Sequence, residues 1–315
     1  MKSAVQIISG FVIWGIFLGA SWDDYNGFDL TQHSIPVKDI LRGGPPRDGI
    51  PAILHPKFVS AQEASFLQET DRVLGVTRGR EAKAYPIKIL NWHEIVNDTI
   101  GGQPVLITYC PLCGTGIGFD RVIAERKLTF GVSGLLYQSD LLMYDHQTES
   151  LWSQIAMEAV TGPMTGQKLQ PLFLEHTTWS DWRRRYPHTL VLSTETGYHR
   201  RYDRDPYADY ALGPGVMFPV KPLDGRLALK EWVIGIEVNG QAKAYPFSVL
   251  KWLTAPLKDR VNGQGIIVHF DPKHARAVIT DEAGTPIPAV TAYWFAWAAF
   301  HPDTLIFRAR GEQSP

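Results

Sequence analysis

The sequence predicts an α+β fold, rich in β: two diverged copies of one hairpin–helix–strand unit, with mainly antiparallel sheets. Three observations lead there. The 315 residues include 28 glycines and 22 prolines, scattered throughout, so turns are frequent and the elements between them short. The run VLGVTRGREAKAYPIKILNW from Val73 to Trp92 returns as VIGIEVNGQAKAYPFSVLKW from Val233 to Trp252. After one inserted residue the likeness continues, Gly102-Gln103 answering to Gly263-Gln264 and Val105-Leu106-Ile107 to Ile266-Ile267-Val268. At a different offset, Trp179, Trp182, Pro187, Thr189 and Leu190 answer to Trp294, Trp297, Pro302, Thr304 and Leu305. Two copies are too few to stack as a solenoid.

Taken in order, residues 1–20 are expected to be a signal peptide or membrane anchor. After Lys2 the stretch from Ala4 to Ala20 is apolar except for Gln6 and Ser9, shorter than the ~20 residues of a full span. Leu18-Gly19-Ala20 makes an imperfect cleavage site, so an uncleaved anchor stays open. Export to the periplasm or beyond follows, and with it an oxidising or metal-exposed compartment. Residues 21–60 read as an irregular arm turning at Gly43-Gly44-Pro45-Pro46. Residues 61–220 form the first copy, with a hairpin of Val73–Val76 and Ala82–Tyr85. Pro86 suits a first helical position and starts a helix to about Val96. A strand from Val105 to Tyr109 follows, and the alternating runs from Gly116 to Trp152 predict an antiparallel meander. The polar stretch Tyr198–Tyr210 connects to the second, shorter copy, 221–315. The net charge of −1 and the lack of a long basic run argue against a nucleic-acid partner.

The chain's two cysteines, Cys110 and Cys113, stand together in Tyr109-Cys110-Pro111-Leu112-Cys113-Gly114. A disulfide closing about four residues stabilises by only about 2 kcal/mol before strain, so the pair serves chemistry better than stapling. In the second copy Asp271-Pro272-Lys273-His274 takes its place, keeping the proline without sulfur. His93 answers to Leu253 there and shares a helical face with Ile89 and Val96. It reads either as a core histidine or as a third member of the site.

Backbone N–H groups of such a knuckle favour thiolate and bring a cysteine from about 8.5 to somewhere near 3.5–7.5. Two chemistries fit. In disulfide exchange Cys110 attacks, Cys113 resolves and His93 moves a proton, acting on a thiol protein or a small molecule. In metal binding Cys110, Cys113 and His93 hold copper or zinc with a position open, since a closed zinc site takes four ligands. A third reading is a ligand-binding module whose cysteines form a dispensable clip. Met143 and Met157 read as core filler. Gly114-x-Gly116-x-Gly118 has no helix after it, so a dinucleotide loop is rejected. Gly131-Val132-Ser133-Gly134-Leu135 lacks a nucleophile elbow's last glycine. Asp140, Asp145, Glu149 and Glu158 read as turn and edge residues.

The segments N-W-H-E-I-V-N-D from Asn91, Y-C-P-L-C-G-T-G from Tyr109, F-G-V-S-G-L-L-Y from Phe130, and S-D-L-L-M-Y-D followed by L-W-S-Q resemble the family called domain of unknown function 3179. The resemblance covers roughly Ala61 to Pro256. It brings no established activity. It does imply redox chemistry at Cys110 or Cys113, because relatives with selenocysteine in the thiol motif have little structural use for selenium. Nothing is carried to Asp271 or His274, where the second copy departs from the motif.

Overall fold

A computed structural model of the chain describes residues 25–309. The apolar segment read as a signal peptide or anchor, residues 1–20, lies outside them. Among the described residues no helix is long and apolar enough to cross a membrane.

The two-copy α+β expectation is overturned. Among the described residues the chain is mostly β, 40% strand against 11% helix, in five small sheets arranged as a five-bladed β-propeller, with a two-stranded ribbon of Val122–Ile123 and Arg126–Lys127 besides. The helices shrink because their apolar spacing has another cause. The helix expected from Pro86 to Val96 is the single turn Ile87–Leu90. Glu94 then takes a left-handed φ of 56°, and Ile95–Ile100 runs on as a strand buried on both faces for four residues. Ile89, His93 and Val96 therefore share no helical face.

The first blade orders its strands Glu175–Thr178, Arg72–Arg78, Glu81–Pro86, Leu190–Leu192 and Phe58–Ser60. The second orders Pro171–Leu172, Thr115–Asp120, Gln103–Cys110 and Ile95–Ile100. The third contains Ile40–Arg42, Phe130–Tyr137, Asp140–Asp145, Leu151–Ser153 and Glu158–Ala159. The fourth has Val290–Tyr293, Trp232–Val238, Gln241–Pro246 and Leu305–Ile306. The fifth has Leu257–Val261, Gln264–Asp271, Arg276–Asp281 and Pro286–Ile287. Pairing is antiparallel except for Glu81–Pro86 with Leu190–Leu192 and Gln241–Pro246 with Leu305–Ile306. The expected meander is divided. Thr115–Asp120 folds back on Gln103–Cys110 in the second blade, while the strands from Phe130 onward build the third.

The A-K-A-Y-P pattern has a physical basis in both places. Lys83 and Tyr85, two apart on one face of a strand, both reach Asp98, at 2.9 and 2.6 Å. Lys243 and Tyr245 reach Asp259 in the same manner, at 2.6 and 2.9 Å. Each set ties one blade to the next. Trp182 lies on the backbone of Gly75 and Trp297 on that of Gly235, so closely that a Cβ at either glycine would overlap the indole. Each indole donates to a threonine, Thr189 or Thr304, at 2.9 Å. Gly75→Ala and Gly235→Ala are each expected to destabilise by about 1–3 kcal/mol through overpacking. Urea unfolding measures this, and an unchanged midpoint would mean that the tryptophans shift freely.

The largest core cluster packs Phe119, Phe130, Trp152, Trp294 and Trp297 together, joining the second, third and fourth blades around the thiol turn.

Candidate functional site

Cys110 ends its strand opposite Thr115. Between them the chain turns, Cys113 N donating to Cys110 O at 3.2 Å. Gly114 closes the turn at φ 63°, and a Cβ there would lie 2.6 Å from the Trp232 ring. Glycine is thus required both by conformation and by space. The fourth blade clamps the turn: Tyr293 N donates to Cys113 O at 2.9 Å. Both cysteines are free thiols and buried.

The third blade supplies the other wall. Its hairpin turns at Gln138-Ser139, both at positive φ, the pattern of a two-residue type I′ turn. This tip sets Ser139 O at 3.3 Å from Cys113 Sγ and 3.9 Å from Cys110 Sγ. Asp140 Oδ1 lies 3.9 Å from Cys113 Sγ. Its other oxygen accepts from Ile155 N at 3.1 Å and Ser153 Oγ at 3.4 Å. The two sulfurs and an Asp140 oxygen all lie within 4.8 Å of one another. Glu94 stands nearby, its side chain lining a cavity of about 90 Å³ with Leu112, Tyr207 and Phe218.

Burial sets the electrostatics. It pushes the Asp140 carboxyl up to about 7. Burial and the Asp140 charge push Glu94 up to about 8. Both thiols are raised by burial as well, Cys113 well above the usual range. The expectation that the turn lowers them does not hold: the Cys113 backbone N–H does favour the Cys110 thiolate, but burial outweighs it, and the Asp140 charge adds to the rise.

The structure does not bring His93 to the thiols. Its Nδ1 lies 2.7 Å from Pro51 O and its Nε2 2.7 Å from Tyr202 Oη, and burial lowers it to about 4. Asp140 joins the sulfurs in its place. Asp140, read from sequence as a turn or edge residue, is fully buried; the signal was its place directly after a Gln-Ser turn between two apolar runs. Glu94 stands in the N-W-H-E segment without any chemical pattern to mark it. Met143 is core, and Asp145 is occupied by Thr148 and the Trp152 indole. A second grouping, Asp181, Asp271 and His274, is served by cations, since Asp181 pairs with Arg184, Arg185 and Arg276.

The raised carboxyls and lowered histidines give stability a definite pH course. Asp140 and Glu94 bind protons more readily in the fold, so their contribution is complete below about pH 4. It is lost as pH rises through about 7 and about 8. His93 and His176, lowered to about 4 and about 3, stabilise above pH 6.5 and lose this as pH falls below it. The two trends oppose each other from about pH 4.5 to 6.5, and only the carboxyl loss continues above. Stability is expected to fall by about 2–3 kcal/mol between pH 6.5 and 8. Glu94→Gln should flatten much of that fall in urea titrations; a fall of unchanged steepness would assign it to other groups.

A family model described as "Protein of unknown function (DUF3179)" matches residues 47–304. No curated protein and no solved structure matches the chain.

Proposed function

The chain belongs to the DUF3179 family, and from that footing we propose that it is an exported thiol–disulfide oxidoreductase whose dithiol is Cys110 and Cys113. The observation behind this is Asp140: a buried carboxyl, near neutral in its titration, beside the sulfur of Cys113. A thiol in such a site is inert until something takes its proton, and a group titrating near the working pH is suited to do so. Cys113, whose sulfur lies 3.9 Å from Asp140 Oδ1, takes the resolving role. Export rests on the apolar segment from Ala4 to Ala20.

With an organic disulfide the steps balance. The Cys110 sulfur attacks the disulfide, and its proton passes to the leaving sulfur. One S–S bond breaks and a mixed disulfide forms on Cys110. Cys113 passes its proton to Asp140 and attacks the Cys110 sulfur, forming the Cys110–Cys113 disulfide. The second substrate sulfur leaves and is protonated. Two thiols of the protein are oxidised, and one disulfide is reduced to two thiols.

Cys113→Ala removes the resolving thiol. After a pulse of bis(2-hydroxyethyl) disulfide, mass spectrometry should find the adduct on Cys110 in this variant and none in Cys110→Ala. No adduct, together with a wild-type pair that resists oxidation, would reject the proposal.

One observation favours a second reading. The two sulfurs and the Asp140 oxygen are close enough to share an ion. Two thiolates and a carboxylate suit zinc or copper, which would hold both thiols deprotonated. Elemental analysis of protein purified without oxidant decides it: stoichiometric metal that Cys110→Ser loses supports this reading, and its absence removes it.

A further inference from the structure

Outside the thiol site lies an open cleft of about 470 Å³. Its walls include Trp92, Asn91 and the arginines Arg200, Arg201 and Arg204, and no carboxylate. Arg201 is paired with Asp203 at 3.0 Å. Asp205 accepts from Asn91 Nδ2 and Tyr207 N. Among the described residues neither Arg200 nor Arg204 forms an ion pair; the Arg200 guanidinium donates only to the neighbouring His199 carbonyl. The Trp92 indole donates to Arg204 O at 3.2 Å, so the aromatic wall and the cationic rim are tied together. Two unneutralised guanidiniums around a concave, carboxylate-free space favour an anion.

The cleft also borders a second cavity. Pro45, Ile50 and Tyr207 line both the cleft and the smaller cavity that holds Glu94 and Leu112. Leu112 lies between the two cysteines. The space next to the thiol turn therefore shares three wall residues with the cationic cleft.

We propose that this cleft is the recognition site for a small organic disulfide or thiol bearing a carboxylate. The anionic group sits between Arg200 and Arg204, and the apolar stem passes Ile50 and Tyr207 toward Cys110. The disulfide part of this assignment rests on the dithiol reading; the anion part rests on the cleft alone.

Calorimetry separates them, using the Cys110→Ser, Cys113→Ser double variant, which binds without reacting. The probes are 3,3′-dithiodipropionate (anionic), bis(2-hydroxyethyl) disulfide (neutral) and cystamine (cationic). The anionic probe should bind at least about tenfold more tightly than the others, and more weakly as salt is added. Arg200→Ala and Arg204→Ala should each weaken it about fivefold, the usual scale of a partly screened ion pair. Equal binding of all three probes, or unchanged affinity when both arginines are removed, would overturn the cleft assignment. Selective binding with no oxidation of the wild-type pair would reject the dithiol reading and leave the cleft standing. Oxidation by all three probes at equal rates would do the reverse.

Discussion

Asp140→Asn is expected to slow the second step of disulfide exchange by about 10²–10⁴-fold, the range of a positioned general base, and to leave the first step nearly untouched. Asparagine keeps an oxygen for Ile155 N and Ser153 Oγ, which hold the native carboxyl, so the hairpin tip should keep its place. It cannot take a proton from Cys113. In stopped-flow mixing with an organic disulfide, the mixed disulfide on Cys110 should therefore form and accumulate, with the second thiol released slowly. In the wild type the second step should speed up as pH rises through about 7, where Asp140 ionises, and that inflection should vanish in the variant. A second step with unchanged rate and inflection would remove Asp140 from the chemistry.

The second large effect concerns stability. Asp98→Ala is expected to cost about 3 kcal/mol, since it takes the nearer carboxylate from a buried lysine and leaves it Glu81 at 3.3 Å and the Thr99 carbonyl at 2.9 Å. The side chains of Lys83 and Asp98 are 6% and 7% exposed, and Tyr85 loses its acceptor too. The corresponding Asp259→Ala leaves Lys243, in a pair whose side chains are 15% and 20% exposed. Water can reach that lysine, so the loss should be nearer about 1 kcal/mol. Urea unfolding of both variants compares them directly. Equal losses would show that burial is not what separates two otherwise matching constellations.

These pairs also show what a single sequence makes legible. The A-K-A-Y-P pattern is visible because Lys and Tyr must share one strand face while small residues occupy the other. The hairpins and the strand before Cys110 follow from the same alternation. Sheet membership does not. From Gly116 to Trp152 the apolar alternation announces strands, yet nothing local says that Thr115–Asp120 returns to Gln103–Cys110 while Phe130–Tyr137 starts another blade. The helix expected after Pro86 stops short: Ile89, His93 and Val96 are spaced for one, while the left-handed Glu94 ends it.

Asp140 escaped for a related reason. A polar residue beside an apolar run normally marks a turn at the surface. Its burial depends on the thiol turn of another blade lying over it. His93 has the opposite history. Its apolar setting was plain, but its partners, Pro51 O and Tyr202 Oη, lie far off in sequence.

The bond from Tyr293 N to Cys113 O has a bearing on biogenesis. A chain made from its N-terminus completes Cys110 and Cys113 long before the strand Val290–Tyr293 that covers them. Until that strand docks, the Cys113 carbonyl lacks its partner and the thiol turn is held by the second and third blades alone. Covering of the turn by the fourth blade is thus among the last events of folding in a chain made from its N-terminus.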